Sequence, residues 1–464
     1  MIPEHAKTFG GGATESAIHP IVLIAMILAI ILLLVLPRKY AIVPLLFIGF
    51  LVPVGQLLVL GGVHLFVLRI VILFGCMRLI FFKMTSQENL LAGGFNSVDR
   101  VFLWCILCQG IASTLLFLNG VALVNQLGFL LDYIGGYFLL RFLIHEQEDV
   151  FRAIKCFAVL ALILAICMLR ERFAMQNVFG YIGGAFVPEV RDGRVRAQGP
   201  FEHELLAGAF GATLLPLFCL LWKNGKTKFL AVLGLIGSAL ITWTSNSSTS
   251  LLAFAAGILG MCFWPFRKSM RKVRWGIVIG LVALQCVMKA PVWFLIARID
   301  LTGGSSGYHR AVVVDAFIRN FWDWWLIGVK DTSRWGWDLW DAQNQYVSVG
   351  ESGGLIAFVL FITMIVRCFA RLGNARKAVQ DDTNQEWFFW FLSAALFAHI
   401  VAFFGVNYFD QSRMAWFALL AIISAATAPV LQRASVPENE LQPAFRRSRL
   451  AYAPPSPSGS AAHR

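Results

Sequence analysis

Apolar runs of about 15–22 residues, separated by short polar or charged segments, recur along nearly the whole chain. Runs of that size fit the hydrocarbon core of a bilayer, which a helix of ~20 apolar residues crosses. Only 14% of the 464 residues are charged, against ~25% in ordinary globular proteins. Together these exclude a soluble enzyme, a disordered chain and a soluble head on one anchor. The expected fold is all-α, a polytopic membrane helical bundle of 12–13 transmembrane helices. Thirteen candidate helices begin near Pro20, Ala41, Leu65, Val101, Val121, Cys156, Leu205, Phe229, Leu251, Trp275, Gly353, Trp387 and Met414. Trp222, Trp243, Trp264, Trp275 and Trp387 fall at run ends, where amphipathic rings prefer the headgroup level.

The formal charge of +13 does not point to nucleic acid, because the excess sits in short segments between apolar runs, where membrane topology is set. Of the 39 Lys and Arg, 24 fall in one set of alternate connections and 13 in the other, with Arg69 and Arg78 inside a run. The richer set is expected to face the cytoplasm. Cys105 and Cys108 have the spacing of a redox pair or half a zinc site, but sit within an apolar run with no second pair. They read as helix-packing residues. No His/Cys/Asp/Glu cluster has metal-ligand spacing, and no metal or cofactor is expected. Met1 to Ser16 carry no basic region ahead of the first run, so the first run is expected to be a retained anchor. Residues 1–431 read as one integral membrane domain. Residues 432–464, rich in Pro, Ser, Ala and Arg, read as a disordered cytoplasmic tail. Its Arg446, Arg447 and Arg449 are either solvated or in contact with anionic lipid.

Two outer connections, about 170–204 and 297–352, are too long for simple linkers, and long irregular connections are usually functional or disordered. The first holds Arg191, Arg194 and Arg196 just ahead of a run, on the side where basic residues are disfavoured. One reason for Arg there is a phosphate, which a guanidinium grips with paired hydrogen bonds. The other is local pairing, since the loop holds as many acids as bases. The second connection contains Gly303 to Arg310 and then six of the fifteen Trp between Trp322 and Trp340. Such a cluster suits sugar rings, lipid tails or an interfacial segment on the bilayer.

At these two loops the chain resembles the O-antigen ligase and polymerase superfamily of bacterial envelope glycosyltransferases. Arg196-Ala197-Gln198-Gly199-Pro200-Phe201 with His203 resembles the family's Arg-x-x-Gly-x-Phe approach to a span. Gly307 to Arg310, followed by Gly328-Val329, resembles its Gly-x-x-Arg helix and Gly-Val turn. Gln343-Asn344, followed by Gly354-Leu355-Ile356-Ala357, resembles its His-Asn to Gly-x-x-Gly signature. The likeness covers about Arg191 to Val366. Gln343 stands where the family has His, Ala357 where it has Gly, and Glu351 lies one residue early. The missing His shifts the expectation from lipid A-core ligation towards polymerisation.

The resemblance implies a donor glycan linked through diphosphate to undecaprenol. An acceptor hydroxyl attacks the anomeric carbon and the lipid diphosphate leaves. Arg196 and Arg310, with Arg191 and Arg194 beside them, are then expected at the diphosphate. His203, Glu351 and His309 are the candidates for the base, and Gln343, Asn344 and Tyr346 for acceptor binding. The implied setting is the bacterial inner membrane with the site on the periplasmic side, among membrane lipid and other polysaccharide assembly proteins. The alternatives are a ligase using another acceptor, a lipid-linked sugar transporter or flippase, for which Lys289, Pro291 and His399 are the polar candidates, and a non-catalytic assembly or sensor protein. Arg69 and Asp132, both inside runs, are expected to pair or to line a groove, because a lone charge at the bilayer centre costs roughly 2.5–3.5 kcal/mol.

Overall fold

Side-chain caps set many of the helix starts. Asn96 and Asp99 form a reciprocal capping box that opens α4 (Ser97–Phe117), satisfying amide donors that have no partner inside the helix. Asn119, Ser247, Asn344 and Asp382 cap α5 (Gly120–Leu130), α10 (Ser248–Cys262), α14 (Gln345–Ala378) and α15 (Thr383–Ala402), each accepting first-turn amides with its own side chain. The remaining helices are α1 (Pro20–Val35), α2 (Ile42–Leu51), α3 (Val67–Thr85), α6 (Gly136–Leu143), α7 (Gln147–Ala174), α8 (Glu204–Lys223), α9 (Lys228–Thr244), α11 (Met270–Val287), α12 (Gly307–Arg319), α13 (Phe321–Trp324) and α16 (Asp410–Ser435). Two short hairpins, β1–β2 (Leu57–Leu60, Val63–Phe66) and β3–β4 (Glu189–Arg191, Arg194–Arg196), are the strands among the described residues. The computed structural model describes residues 16–61, 63–298 and 307–435. The expected retained anchor preceded by Met1 to Ser16 is described only from residue 16, and nearly all of the expected tail, with Gly303 to Ser306, lies outside.

The chain is an all-α polytopic bundle. Twelve of the thirteen expected starts fall on a helix or its cap, and Leu65, in β2, lies two residues ahead of α3, but fewer of these helices have the length and apolarity of a span. Seven do among the described residues, or eight when α10 and the 264–287 segment, bent by 72°, are taken as one. The difference from 12–13 has plain causes. Helices α1, α2 and α9 are apolar but only 16, 10 and 17 residues long, and α3 carries Arg69, Arg78 and Lys83.

Helix α8 is the axis of the bundle, with 83% of its span buried. Small residues let its neighbours approach, as is usual where helices pack without a solvent-driven hydrophobic force. A Cβ at Gly211 would sit 2.7 Å from Ile241 of α9, and one at Gly237 of α9 would sit 2.8 Å from the Ala161 backbone of α7. Phe50, Phe157, Phe201 and Phe210 pack edge-on or tilted in the same core, with centroids 4.7–6.5 Å apart.

The second long connection is largely helical. Phe317 of α12 stacks on Trp324 of α13 at 4.0 Å. This α12–α13 unit is stitched into a break in α14 at Gly354 (φ 69, ψ −170). There Leu355 N–H donates to Trp325 O at 2.8 Å, and Val329 N–H donates to Glu351 O at 2.9 Å. A Cβ on Gly354 would lie 2.6 Å from Leu326 O, and one on Gly328 (φ +93) would collide with Glu351 O. Both positions therefore require glycine. Gly354→Ala is expected to cost about 1–3 kcal/mol, the range for a residue forced into a glycine-only backbone region. Faster proteolysis within 321–344 and a lower thermal midpoint in detergent are the signals; a midpoint equal to wild type would contradict the assignment.

Candidate functional site

The segment 196–204 is anchored from several helices. Ala197 N–H donates to Thr244 O at 3.1 Å. The buried Glu171 carboxylate of α7 accepts from Gln198 N–H at 3.0 Å and Gly199 N–H at 2.8 Å. Asn177 Nδ2 donates to Gly199 O at 2.6 Å, and Gln411 Nε2 of α16 donates to Pro200 O at 3.0 Å. Phe201 is fully buried among the core rings. Asp192 (φ 50) and Gly193 (φ 71) form the left-handed tip of β3–β4, the Asp-Gly pairing that suits a two-residue hairpin turn.

Arg196 ends this hairpin and is buried. It reaches Glu204 Oε1 at 2.6 Å and Glu189 Oε1 at 3.2 Å. Arg310, on α12, is brought close to Arg196 and Arg191, and the three guanidiniums repel one another. Burial first, then Arg196 and Arg191, push the Arg310 pKa down to about 10. It stays cationic at neutral pH. Arg310 Nε abuts Gly405, just after α15, where a Cβ would approach to 3.0 Å. Arg310 Nε is buried with no hydrogen-bond partner, and Arg310 forms no ion pair among the described residues. An arginine held near two others, with no carboxylate of its own among the described residues, has the chemistry to receive an anion.

The other expected residues divide. Arg191 and Arg194 lie on the exposed hairpin beside Arg196. His203 is exposed just before α8, its ring edge-on to Phe409 at 6.3 Å. His309 is half-buried on α12. Glu351 is buried in α14 beside the Gly328 turn. Gln343 adopts a left-handed backbone (φ 40) ahead of α14. Asn344 and Tyr346 serve the fold: Asn344 caps α14 and donates to Phe404 O at 3.2 Å, and Tyr346 Oη donates to Ile400 O at 3.0 Å. Their polar groups make hydrogen bonds to the backbone. Among the described residues no group of three or more His, Cys, Asp or Glu is placed to hold a metal.

Sequence reasoning passed over Glu202 as a functional candidate, together with Asp410 and Arg413 at the start of α16. Arg69 pairs with Asp132 through two bonds, Nε to Oδ1 at 2.9 Å and Nη2 to Oδ2 at 2.7 Å. Arg413 adds a third charge, 3.8 Å from both Asp132 and Asp410. The carboxyl of Glu202 lies against that of Asp410. Burial raises the Glu202 pKa, the Asp410 carboxyl raises it further, and His203 opposes the shift. Spacing within one helix could not show these partners, which come from four separate elements.

Arg413 also alters what a charge exchange should do. Asp132→Arg with Arg69→Asp keeps the pair but sets the introduced guanidinium against Arg413. The double variant is expected to fold less well than wild type, although better than either single variant. Yields of monodisperse protein in detergent test this, and a double variant equal to wild type would exclude Arg413 from the set.

No family model and no curated protein matches the sequence.

Proposed function

We propose that this chain is a membrane glycosyltransferase that joins undecaprenyl-diphosphate-linked glycan units into a polysaccharide, with its arginine rim facing outwards from a bacterial inner membrane. The observation that carries the reading is the convergence of Arg191, Arg196 and Arg310, from segments far apart in sequence, with Arg310 left without an acid among the described residues. A lipid diphosphate supplies the missing negative charge. As the glycosidic bond breaks, charge grows on the departing phosphate oxygen, and fixed guanidiniums stabilise it without solvent reorganisation. The lipid tail accounts for a site at the end of a membrane bundle. Transfer of the same donor to another acceptor, as in ligases, uses the same rim.

A transporter of lipid-linked sugars is the second reading, favoured by the break at Gly354 and the 72° bend after α10, since broken helices are common at transport sites. The test is the purified chain in vesicles with undecaprenyl-diphosphate-linked oligosaccharide. Longer lipid-linked chains support a polymerase, label on a different acceptor supports a ligase, and translocation without new glycosidic bonds supports the transporter. Wild-type transfer rates in both Arg196→Ala and Arg310→Ala would remove the rim from the reaction.

A further inference from the structure

Beside the arginine rim, behind Asp410 and Gln411, a cavity of about 240 Å³ opens between α2, α3, α5 and α16. One water needs only ~10–15 Å³ on this measure, so the space takes a ligand the size of a sugar. Its polar walls are Arg69, Asp132, Asp410, Arg413, Gln56 and Asn125. Two backbone irregularities meet there. Asp132 lies in a π-helical turn, Leu131–Gly135, between α5 and α6, a rare feature that is frequent at functional sites. Asp410 has a left-handed backbone (φ 46), uncommon for any residue but glycine.

Charge distinguishes this cavity from the rim. Two arginines face two aspartates, so the walls carry no net charge and offer both donors and acceptors. That lining suits a neutral ligand with many hydroxyls, whereas the rim suits an anion. The Glu202–Asp410 carboxyl pair stands where the two meet: Glu202 belongs to the rim segment 196–204, and Asp410 lines the cavity. Resting on the glycosyltransferase reading, we propose that this cavity holds the acceptor sugar and that the Glu202–Asp410 pair takes the proton of its attacking hydroxyl. The hydroxyl oxygen bonds to the anomeric carbon, and the bond from that carbon to the diphosphate oxygen breaks. The electron pair leaves on the lipid diphosphate, and the proton passes to the pair, which is ready when it carries at least one ionised carboxylate. His203, Arg413, Asp132 and Arg69 are the charged or titratable groups that face it. Activity should therefore fall as pH drops and the pair fills with protons.

The test is the full chain in vesicles, with undecaprenyl-diphosphate-linked oligosaccharide as donor and a soluble, fluorescently labelled repeat unit as acceptor. Binding of undecaprenyl diphosphate is measured separately. Asn125→Trp fills the cavity from α5. It is expected to raise the acceptor KM about tenfold or more while undecaprenyl diphosphate binding stays within about twofold. Asp410→Asn is expected to lower kcat by on the order of 10²–10⁴, the usual contribution of a general base, and to remove the acid limb of the pH profile. Glu202→Gln should do the same in milder form and serves if Asp410→Asn does not fold. Wild-type acceptor KM in Asn125→Trp, or wild-type kcat and pH profile in the carboxyl variants, overturns the proposal while leaving the glycosyltransferase reading intact. A wild-type chain that neither binds undecaprenyl diphosphate nor transfers sugar overturns both.

Discussion

Arg310→Ala is expected to lower glycosyl transfer by on the order of 10³–10⁵, the range for losing an arginine that stabilises a departing phosphoryl charge, while the protein still folds. Arg310 has no ion pair among the described residues to lose, and its removal relieves repulsion from Arg196 and Arg191. Arg196→Ala should behave differently, because it strands the buried Glu204 carboxylate and frees Glu189, so stability falls along with transfer. Arg310→Lys keeps the charge without the planar fork and should recover only part of the rate. Turnover with lipid-linked oligosaccharide, measured beside a thermal midpoint in the same detergent, separates these cases. Transfer by Arg310→Ala within about threefold of wild type would sink the assignment.

The second large effect lies at the opposite end of the bundle and concerns stability alone. Arg141 of α6 grips Asp99 of α4 with Nε at 2.9 Å and Nη2 at 3.0 Å, and both side chains are fully buried. Tyr137 Oη donates to the same carboxylate at 2.5 Å. Asp99→Ala leaves a buried guanidinium without its counter-charge, which costs about 3–5 kcal/mol. It also removes the carboxylate that accepts from Asn96 N–H in the capping box of α4, leaving the Asn96 cap in place. Replacing both partners with apolar residues, Asp99→Leu with Arg141→Met, should recover much of the loss, because no charge then stays buried alone. Unfolding in mixed micelles measures the difference, and a single variant within about 1 kcal/mol of wild type would show that the pair holds nothing together.

Much of the architecture was legible because the apolar runs are long and each is bounded by polar residues, so thirteen starts could be placed to within a few residues in most cases. Cys156 is the instructive miss. Helix α7 begins at Gln147, since its first turns carry Glu148, Asp149 and Arg152 and look like a connector on hydropathy alone. The hairpin around Asp192-Gly193 had its turn signal in plain view, but the chain around it was read only for charge. At the site, arginines expected on the disfavoured side of the bilayer stood out singly, and the structure brings Arg196 and Arg310 together. Asn344 and Tyr346 show how a cap and a tertiary hydrogen bond draw on the same polar atoms that a binding site would use. Glu202, Asp410 and Arg413 gave no signal, since neighbouring chain segments hide what only the closed bundle places side by side.

Helix α11 has no buried residue along its 18 positions, yet it leads through the 292–298 turn to α12, which bears Arg310. On the proposed reading, hydrocarbon chains reach that flank sideways from the bilayer, and a long isoprenoid stays dissolved in the membrane while its head is processed at the edge. A glycosyltransferase of the proposed kind would then need no tunnel and would set no limit on the length of the chain it handles, since its product could drift off in the plane of the membrane.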